Sequence, residues 1–186
     1  MKRSLFTLAV LAALPFAASA ADGISYNYVQ GGYVASNPNN GGPDADGFGV
    51  DGSVAFHDNF HFFGGWQNQE FDNSNFDFDQ YRFGIGYNHQ IAPKIDLVTR
   101  LAYEKIDAGQ FDADGYSTEV GIRGAANDMF EGYATAGWED YESVDGDFYG
   151  KVGAQAKFNA NWGVAGEVKF IQGGDLQYFV GPRFTW

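Results

Sequence analysis

The chain has 186 residues but no cysteine, only five prolines, and few basic residues, with 11 Lys and Arg against 24 Asp and Glu. Without cysteine, disulfides cannot stabilise an exported form, and extensive strand pairing would have to do so instead. The formal net charge of −13 argues against a nucleic-acid partner, because binding to phosphates requires basic patches. Beyond the N-terminus, no apolar run approaches the length of a membrane-spanning helix. Any insertion into a membrane must therefore use strands.

The N-terminus has the three parts of an export signal peptide. Residues 2–3 are basic, residues 5–16 are mostly apolar, and Ala18-Ser19-Ala20 is an A-x-A cleavage site. Because the apolar stretch is too short for a membrane helix, we predict cleavage after Ala20 rather than a retained anchor. Residues 21–186 would then form a single domain. This mature chain loses two of the 11 basic residues, and its formal charge is 9 − 24 = −15.

The C-terminal stretch 176–186 alternates between two kinds of side chain. Because side chains alternate across a β-strand, this predicts a strand with one apolar face and one mostly polar face. An interfacial aromatic at the end of such a strand is typical of a transmembrane β-barrel, in which the last strand closes onto the first. The apolar face carries Leu176, Tyr178, Val180, Pro182, Phe184 and Trp186, and the opposite face carries Gln177, Phe179, Gly181, Arg183 and Thr185.

Asp-rich segments recur at nearly equal intervals and divide the chain into hairpins. Asp46, Asp79, Asp114 and Asp147 are separated by 33, 35 and 33 residues (79 − 46, 114 − 79 and 147 − 114). A fixed interval of this size indicates a repeated supersecondary unit, here a strand, a tight turn, a returning strand and a longer loop. Counted from a first strand at Ile24-Tyr26-Tyr28, the pattern predicts an all-β, antiparallel, up-and-down transmembrane β-barrel of ten strands. Eight strands are the alternative if one hairpin is a folded-over loop.

Alternation alone does not distinguish a soluble calyx, with its apolar face inward, from a membrane barrel, with that face outward. Aromatic residues at both ends of the apolar runs favour the membrane barrel, because they match its two interfacial girdles. The two ends lie about nine to eleven residues apart, enough for tilted strands to cross the apolar layer. Short turns also alternate with longer acidic loops, as at the periplasmic and external ends of such barrels. The predicted girdle residues are Phe48, Phe56, Trp66, Tyr81, Tyr87, Tyr103, Tyr116, Trp138, Phe158, Trp162, Phe170, Tyr178 and Trp186.

The opposite faces of the same strands carry charged residues of both signs. In a narrow barrel these residues can pair across the lumen, since buried charges need partners. Two interpretations follow: a lumen plugged by ion pairs, which we favour, or a narrow polar conduit for small solutes or ions. The predicted lumen residues are Arg82, Arg100, Arg123, Arg183, Lys151, Lys157, Lys169, Asp51, Asp96, Glu104, Glu119, Glu131, Glu139 and Glu167.

Metal and catalytic chemistry have little support in the sequence. The Asp-x-Asp segments offer weak Ca²⁺ candidates, but none has the EF-hand spacing with its closing glutamate, and loose screening by divalent cations is the better expectation. The three histidines, His57, His61 and His89, form no Ser/His/Asp set at the external mouth, so we predict no enzyme and no cofactor. The weak Ca²⁺ candidates are Asp44, Asp46, Asp112, Asp114, Asp145 and Asp147.

Short motifs throughout the mature chain resemble a known family. They include Ser25-Tyr26-Asn27-Tyr28, Asn59-Phe60-His61-Phe62, Ala102-Tyr103-Glu104-Lys105, Gly146-Asp147-Phe148-Tyr149-Gly150-Lys151 and Gly181-Pro182-Arg183-Phe184-Thr185-Trp186. On these motifs the chain resembles the small outer-membrane barrels known as the sulfation-dependent quorum factor of xanthomonad-type bacteria. The resemblance implies a location in the outer membrane or its vesicles and a link to diffusible-signal-controlled motility, biofilm formation and virulence.

The resemblance also raises the alternative of a precursor whose secreted N-terminal peptide is sulfated, with Tyr26, Tyr28 or Tyr33 as the modified residue. All three tyrosines fall in the predicted first strand, where an interfacial or packing role suffices. We therefore expect a monomeric, non-enzymatic outer-membrane protein with a structural or signalling-associated role. Its expected partners are outer-membrane lipids and lipopolysaccharide, divalent cations, and the barrel-assembly machinery, which would recognise the C-terminal strand.

Overall fold

The computed structural model describes residues 21, 23–39, 41–74, 76–109, 111–142 and 144–186, which form ten antiparallel strands. Each strand pairs with its neighbours in the chain, and β1 pairs with both β2 and β10, so the sheet closes. The predicted up-and-down barrel of ten strands is therefore confirmed over the eight-stranded alternative. The strands are β1 Tyr28–Asn37, β2 Ala45–His57, β3 Phe60–Phe71, β4 Asp77–Ala92, β5 Ile95–Ala108, β6 Phe111–Ala125, β7 Phe130–Tyr141, β8 Val144–Lys157, β9 Trp162–Ile171 and β10 Leu176–Thr185.

The barrel wall has an apolar outer surface and a polar interior. In β5, Leu101 and Tyr103 are 54% and 52% exposed, whereas Ala102 between them is 3% exposed. The most deeply buried side chains include His61 and Asp96, both fully buried, which is the reverse of a soluble core. Phenylalanine, valine and isoleucine side chains project outward around the wall. Such an apolar surface is favourable in contact with lipid and unfavourable in water. This distribution excludes the soluble calyx and defines a transmembrane barrel.

The predicted girdle residues lie on outward positions of the strands or directly beyond strand ends. Several face each other across neighbouring strands, as Tyr103 does Tyr116. Trp138 packs edge-to-face on Phe148, with 4.6 Å between ring centroids. At the opposite end of the wall, the ring centroid of Trp162 on β9 lies 5.0 Å from that of Phe184 on β10. The ring of Phe184 also lies 6.1 Å from that of Trp186, directly beyond the same strand.

The two ends of the barrel differ in their connections. At the turn end, residues 58–59, 93–94, 126–129 and 158–161 join β2–β3, β4–β5, β6–β7 and β8–β9. At the opposite end, here called the loop end, residues 38–44 join β1 to β2, yet β5 stops at Ala108 and β6 already begins at Phe111. The prediction that longer acidic loops alternate with the short turns is therefore wrong for the β5–β6 connection. Pairing of Asp107 with Asp112 continues the ladder, so the Asp-rich segments mostly extend strands instead of forming loops.

The predicted start of the first strand is also wrong. The strand begins at Tyr28, and Ile24 and Tyr26 are buried before it, inside the turn end of the barrel. Gly23 has φ +85°, a conformation that favours glycine, and Ile24 N donates to Ala21 O at 3.0 Å. This turn redirects the chain into the lumen. The predicted signal peptide, with its cleavage site at Ala20, lies outside the described residues.

Across the residues that the structure describes, no helix has the length and apolar character needed to cross a membrane.

Candidate functional site in the barrel lumen

The middle of the lumen is occupied by one carboxylate surrounded by cations. Glu119 on β6 is buried, and its oxygens lie 3.1 Å from Arg100 Nη1, 3.3 Å from Arg82 Nη2 and 3.2 Å from Lys151 Nζ. Tyr149 donates its hydroxyl hydrogen to the same carboxylate at 3.1 Å. Glu119, Arg82, Arg100 and Lys151 are called the central cluster. They come from β4, β5, β6 and β8, so this cluster links strands that do not all pair with each other.

A second cluster lies nearer the turn end. Glu131, at the start of β7, pairs with Arg123, with Lys157 Nζ at 3.1 Å and with Arg183 Nη1 at 3.3 Å. Arg183 Nε also donates to Gln30 Oε1 at 2.6 Å, which fixes its guanidinium between β10 and β1. Glu131, Arg123, Lys157 and Arg183 are called the lower cluster.

The remaining predicted lumen residues also point inward. Arg82 Nε lies 2.9 Å from Glu104, and Lys169 Nζ lies 2.6 Å from Glu139. The other three carboxylates accept hydrogen bonds from neutral side chains: Asp51 from Gln30 at 2.6 Å, Asp96 from Tyr26 at 3.1 Å, and Glu167 from Tyr133. The structure thus brings every predicted basic lumen residue beside a carboxylate, while these three acids are held by amide or phenol groups.

Inward-facing aromatic rings are a part of the site that the sequence pattern did not connect with the lumen cations. Arg82 and Arg100 lie over Phe63, at 5.0 and 5.1 Å from the ring centroid. Arg183 lies 4.3 Å over Tyr28. Such contacts hold a guanidinium by cation–π attraction while it pairs with a carboxylate. In the sequence, these rings fall on the inward positions of the strand alternation, and this pattern could have identified them as lumen residues.

A cavity of about 280 Å³ remains in the lumen. It extends from Arg123 and Arg183 past the central cluster to Gln67, Gln80 and Gln177 near the loop end. Its walls therefore combine paired charges with neutral amides.

The N-terminal segment closes the turn end. Tyr26, 1% exposed, stacks on His61 with 4.5 Å between centroids and lies 4.9 Å beneath the Arg123 guanidinium. Around it, Ala21, Ile24, Tyr26, Ala55, Val98 and Ala125 form a small apolar cluster, called the floor. His61 is therefore a packing residue in the lumen. His57 and His89 are exposed, so the three histidines do not meet.

The weak Ca²⁺ candidates do not converge on one point. Asp46, Asp112 and Asp114 lie on β2 and β6, whereas Asp147 faces Glu139 across β7 and β8. Tyr103 donates its hydroxyl hydrogen to Asp114, so this carboxylate bonds to a girdle residue. Asp44 precedes β2, and Asp145 lies at the exposed start of β8. Within the described ranges, no group of three or more His, Asp or Glu side chains could hold a metal ion.

Known proteins of similar structure are membrane barrels with low sequence identity. No family model and no curated protein matches the chain. The KdgM porin is 15% identical, over 88% of this chain and 99% of that protein, with a TM-score of 0.47. The transport unit of the Escherichia coli autotransporter AIDA-I is 14% identical, over 97% of both chains, with a TM-score of 0.43. Ail of Yersinia pestis is 12% identical, over 87% of this chain and all of Ail, with a TM-score of 0.41. Values this low assign neither a family nor a function.

Proposed function

We propose that the chain is a monomeric, non-enzymatic outer-membrane protein whose closed lumen gives it a structural or signalling-associated role in the cell envelope. The apolar wall between two aromatic girdles supports residence in a bilayer. A closed barrel of paired strands is one of the two structures that can span lipid, and the predicted export signal would direct such a chain out of the cytoplasm.

The observation that carries the proposal is the blocked lumen. Glu119 holds three cations in the middle of the barrel, and the floor covers the turn end. An ion crossing the barrel would have to displace Tyr26 and separate buried ion pairs. Separation of a buried pair leaves an uncompensated charge and costs about 3–5 kcal/mol. The resting barrel is therefore expected to be a poor conductor.

Single-channel recording of the refolded mature protein in planar bilayers tests this proposal. We expect no regular conductance steps from the wild-type protein. A variant with Tyr26→Gly and His61→Ala lacks both stacked rings of the turn end. We expect conductance steps from this variant, which would show that the protein inserts into the bilayer under the same conditions. Regular, voltage-stable steps from the wild type would instead support the narrow pore for small solutes or ions.

That pore is the second candidate because the lumen is not completely filled. The cavity of about 280 Å³ reaches from the lower cluster toward the loop end, so opening of the turn end would leave the ion pairs around Glu119 as the remaining barrier. Under this alternative the Tyr26→Gly and His61→Ala variant would increase conductance that the wild type already has.

The signalling-associated role is part of the proposal, and the barrel geometry favours an intact protein over a peptide precursor. Release of residues 21–37 would remove β1, which pairs with β2 and β10. Tyr26 and Tyr28 are buried, and Tyr33 projects from the outer wall, so none is presented to an enzyme in the aqueous phase.

A deletion strain tests the quorum, biofilm and virulence link. We expect its biofilm or motility defect to be restored by the wild-type gene and by a variant with Tyr26→Phe, Tyr28→Phe and Tyr33→Phe. Phenylalanine keeps the rings but cannot be sulfated. Failure of this variant at normal outer-membrane and vesicle levels would favour the peptide precursor.

A further inference from the structure

One buried carboxylate at the turn end lacks a full set of partners. Asp96 is fully buried at the start of β5. Its Oδ2 accepts the hydroxyl hydrogen of Tyr26 at 3.1 Å and lies 3.4 Å from the nitrogen of Ala21. Its Oδ1 has no hydrogen-bond partner among the described residues. A buried carboxylate with an unpaired oxygen is costly, so this position calls for a further donor or cation.

The basic side chains around Asp96 are already engaged elsewhere. Arg123 lies opposite Asp96 in the β5–β6 register, but its guanidinium pairs with Glu131 and lies over the ring of Tyr26. Lys157 pairs with Glu131 and donates to the carbonyl oxygen of Gly23 at 2.6 Å. Among the described residues, no basic side chain of the lower cluster therefore forms an ion pair with Asp96.

The nitrogen of Ala21 is held at this carboxylate by the floor. Ala21 is 1% exposed and belongs to the same apolar cluster as Ile24 and Val98. The turn at Gly23 and the hydrogen bond from Lys157 fix the segment from the other side. Ala21 is also the residue that follows the predicted cleavage site, Ala18-Ser19-Ala20.

We propose that Asp96 is a binding site for the chain's own α-ammonium group, which signal-peptide cleavage after Ala20 creates on Ala21. Before cleavage this nitrogen is a neutral amide with one N–H. After cleavage it carries a positive charge and three N–H groups, so it can satisfy both oxygens of Asp96 by charge-assisted hydrogen bonds. Removal of the signal peptide would thus complete the closed floor, and the precursor and mature chain would differ inside the barrel itself.

The experiment compares refolded mature chains that begin at Ala21 with chains that carry one additional glycine before it. Each chain is made with wild-type Asp96 and with Asp96→Asn. We expect the additional glycine to lower the thermal unfolding midpoint when Asp96 is present and to have little effect with Asp96→Asn. Asp128→Asn is the matched control, because that carboxylate at the turn end is 99% exposed. An equal effect of the glycine in both backgrounds would overturn the proposal.

Chemical labelling of Ala21 gives a second readout, because Asp96→Asn removes the charge of the partner while keeping a side chain of nearly the same size. A free α-amine has a pKa of about 8 and reacts with acylating reagents at neutral pH, whereas a buried, paired ammonium does not. We expect labelling of Ala21 in the folded wild type to be at least about tenfold slower than in Asp96→Asn, since one unit of pKa corresponds to tenfold in free amine. Equal rates, or a mature protein whose mass places its first residue elsewhere, would refute the site.

If Asp96→Asn does not fold, a comparison of two forms of the wild-type chain still tests the ion pair. The α-amine of the unfolded chain can be acetylated before refolding at a pH of about 6–7, where the lysines stay protonated and unreactive, which removes the charge of the α-amine and leaves Asp96 in place. We expect the acetylated chain to unfold at a lower temperature than the free chain. Equal midpoints would contradict the ion pair.

Discussion

Replacement of Glu119 by glutamine should be the most damaging conservative change in the lumen. The substitution keeps the size of the side chain but removes the charge that Arg82, Arg100 and Lys151 share. Arg82 keeps Glu104 at 2.9 Å. Among the described residues, no other carboxylate lies within salt-bridge distance of Arg100 or Lys151, so both cations lose their partner.

The expected loss follows from the burial of these groups. The side chains of Arg100 and Lys151 are 15% and 9% exposed, and that of Glu119 is 1% exposed. Removing one partner of a buried ion pair costs about 3–5 kcal/mol, and partial exposure of the cations puts the expectation near 3 kcal/mol. Urea unfolding of the refolded protein in detergent micelles, followed by tryptophan fluorescence, measures this value.

Two further variants make this measurement specific. Glu70→Gln is the matched control, because Glu70 is exposed on the outer wall opposite Asp46 and Asp77, and we expect a change within about 0.5 kcal/mol. Glu119→Gln combined with Lys151→Met removes one uncompensated cation and should recover part of the loss. The reasoning fails if Glu119→Gln costs less than about 1 kcal/mol or if the double variant is less stable than the single one.

Four other outcomes follow from the same structure. The closed barrel should resist SDS in the cold, so its gel mobility should change on boiling; identical mobility would count against closure. Deletion of Trp186, whose backbone N–H donates to the backbone oxygen of Asn27 at 3.1 Å, should impair membrane assembly without blocking export, as fractionation with immunoblotting would reveal. Gly86→Ala would place a Cβ against the ring of His61 and should lower stability by about 1–3 kcal/mol in urea unfolding. Asp107 faces both Asp79 and Asp112, so millimolar Ca²⁺ or Mg²⁺ should raise the unfolding temperature at low ionic strength more than NaCl of equal ionic strength; an equal NaCl effect would mean screening alone.

The alternation of side chains, read together with the aromatic girdles, was sufficient to predict which face of each strand lies inside. Strand geometry has a period of two, so the inward position of Glu119 also fixes Ser117 and Arg123 on the same face. The pairing partners were not predictable in this way. Arg82 on β4 and Lys151 on β8 both reach Glu119 on β6, across strands that are not neighbours. Such contacts depend on the tilt and curvature of the closed wall, which no local pattern encodes.

The two errors in the sequence-based prediction have local physical causes. Asp and Gly favour turns, yet Asp114-Gly115 lies inside β6, where pairing with Lys105 and Glu104 outweighs the turn preference. Ile24 and Tyr26 continue the alternation of β1, but the turn at Gly23 and the contacts of Tyr26 direct the chain inward. Tertiary contacts decided both cases.

The floor and the ion pairs of the lumen depend on each other through Tyr26. The hydroxyl group of Tyr26 donates a hydrogen bond to Asp96, and its ring lies under the Arg123 guanidinium, which pairs with Glu131. If the N-terminal segment left the barrel, water would reach the lower cluster, and its ion pairs would weaken as the local dielectric constant rose. On the proposed function, the N-terminal segment and the ion pairs therefore form one connected plug. Whatever holds that segment at Asp96 is then expected to help keep the lumen closed.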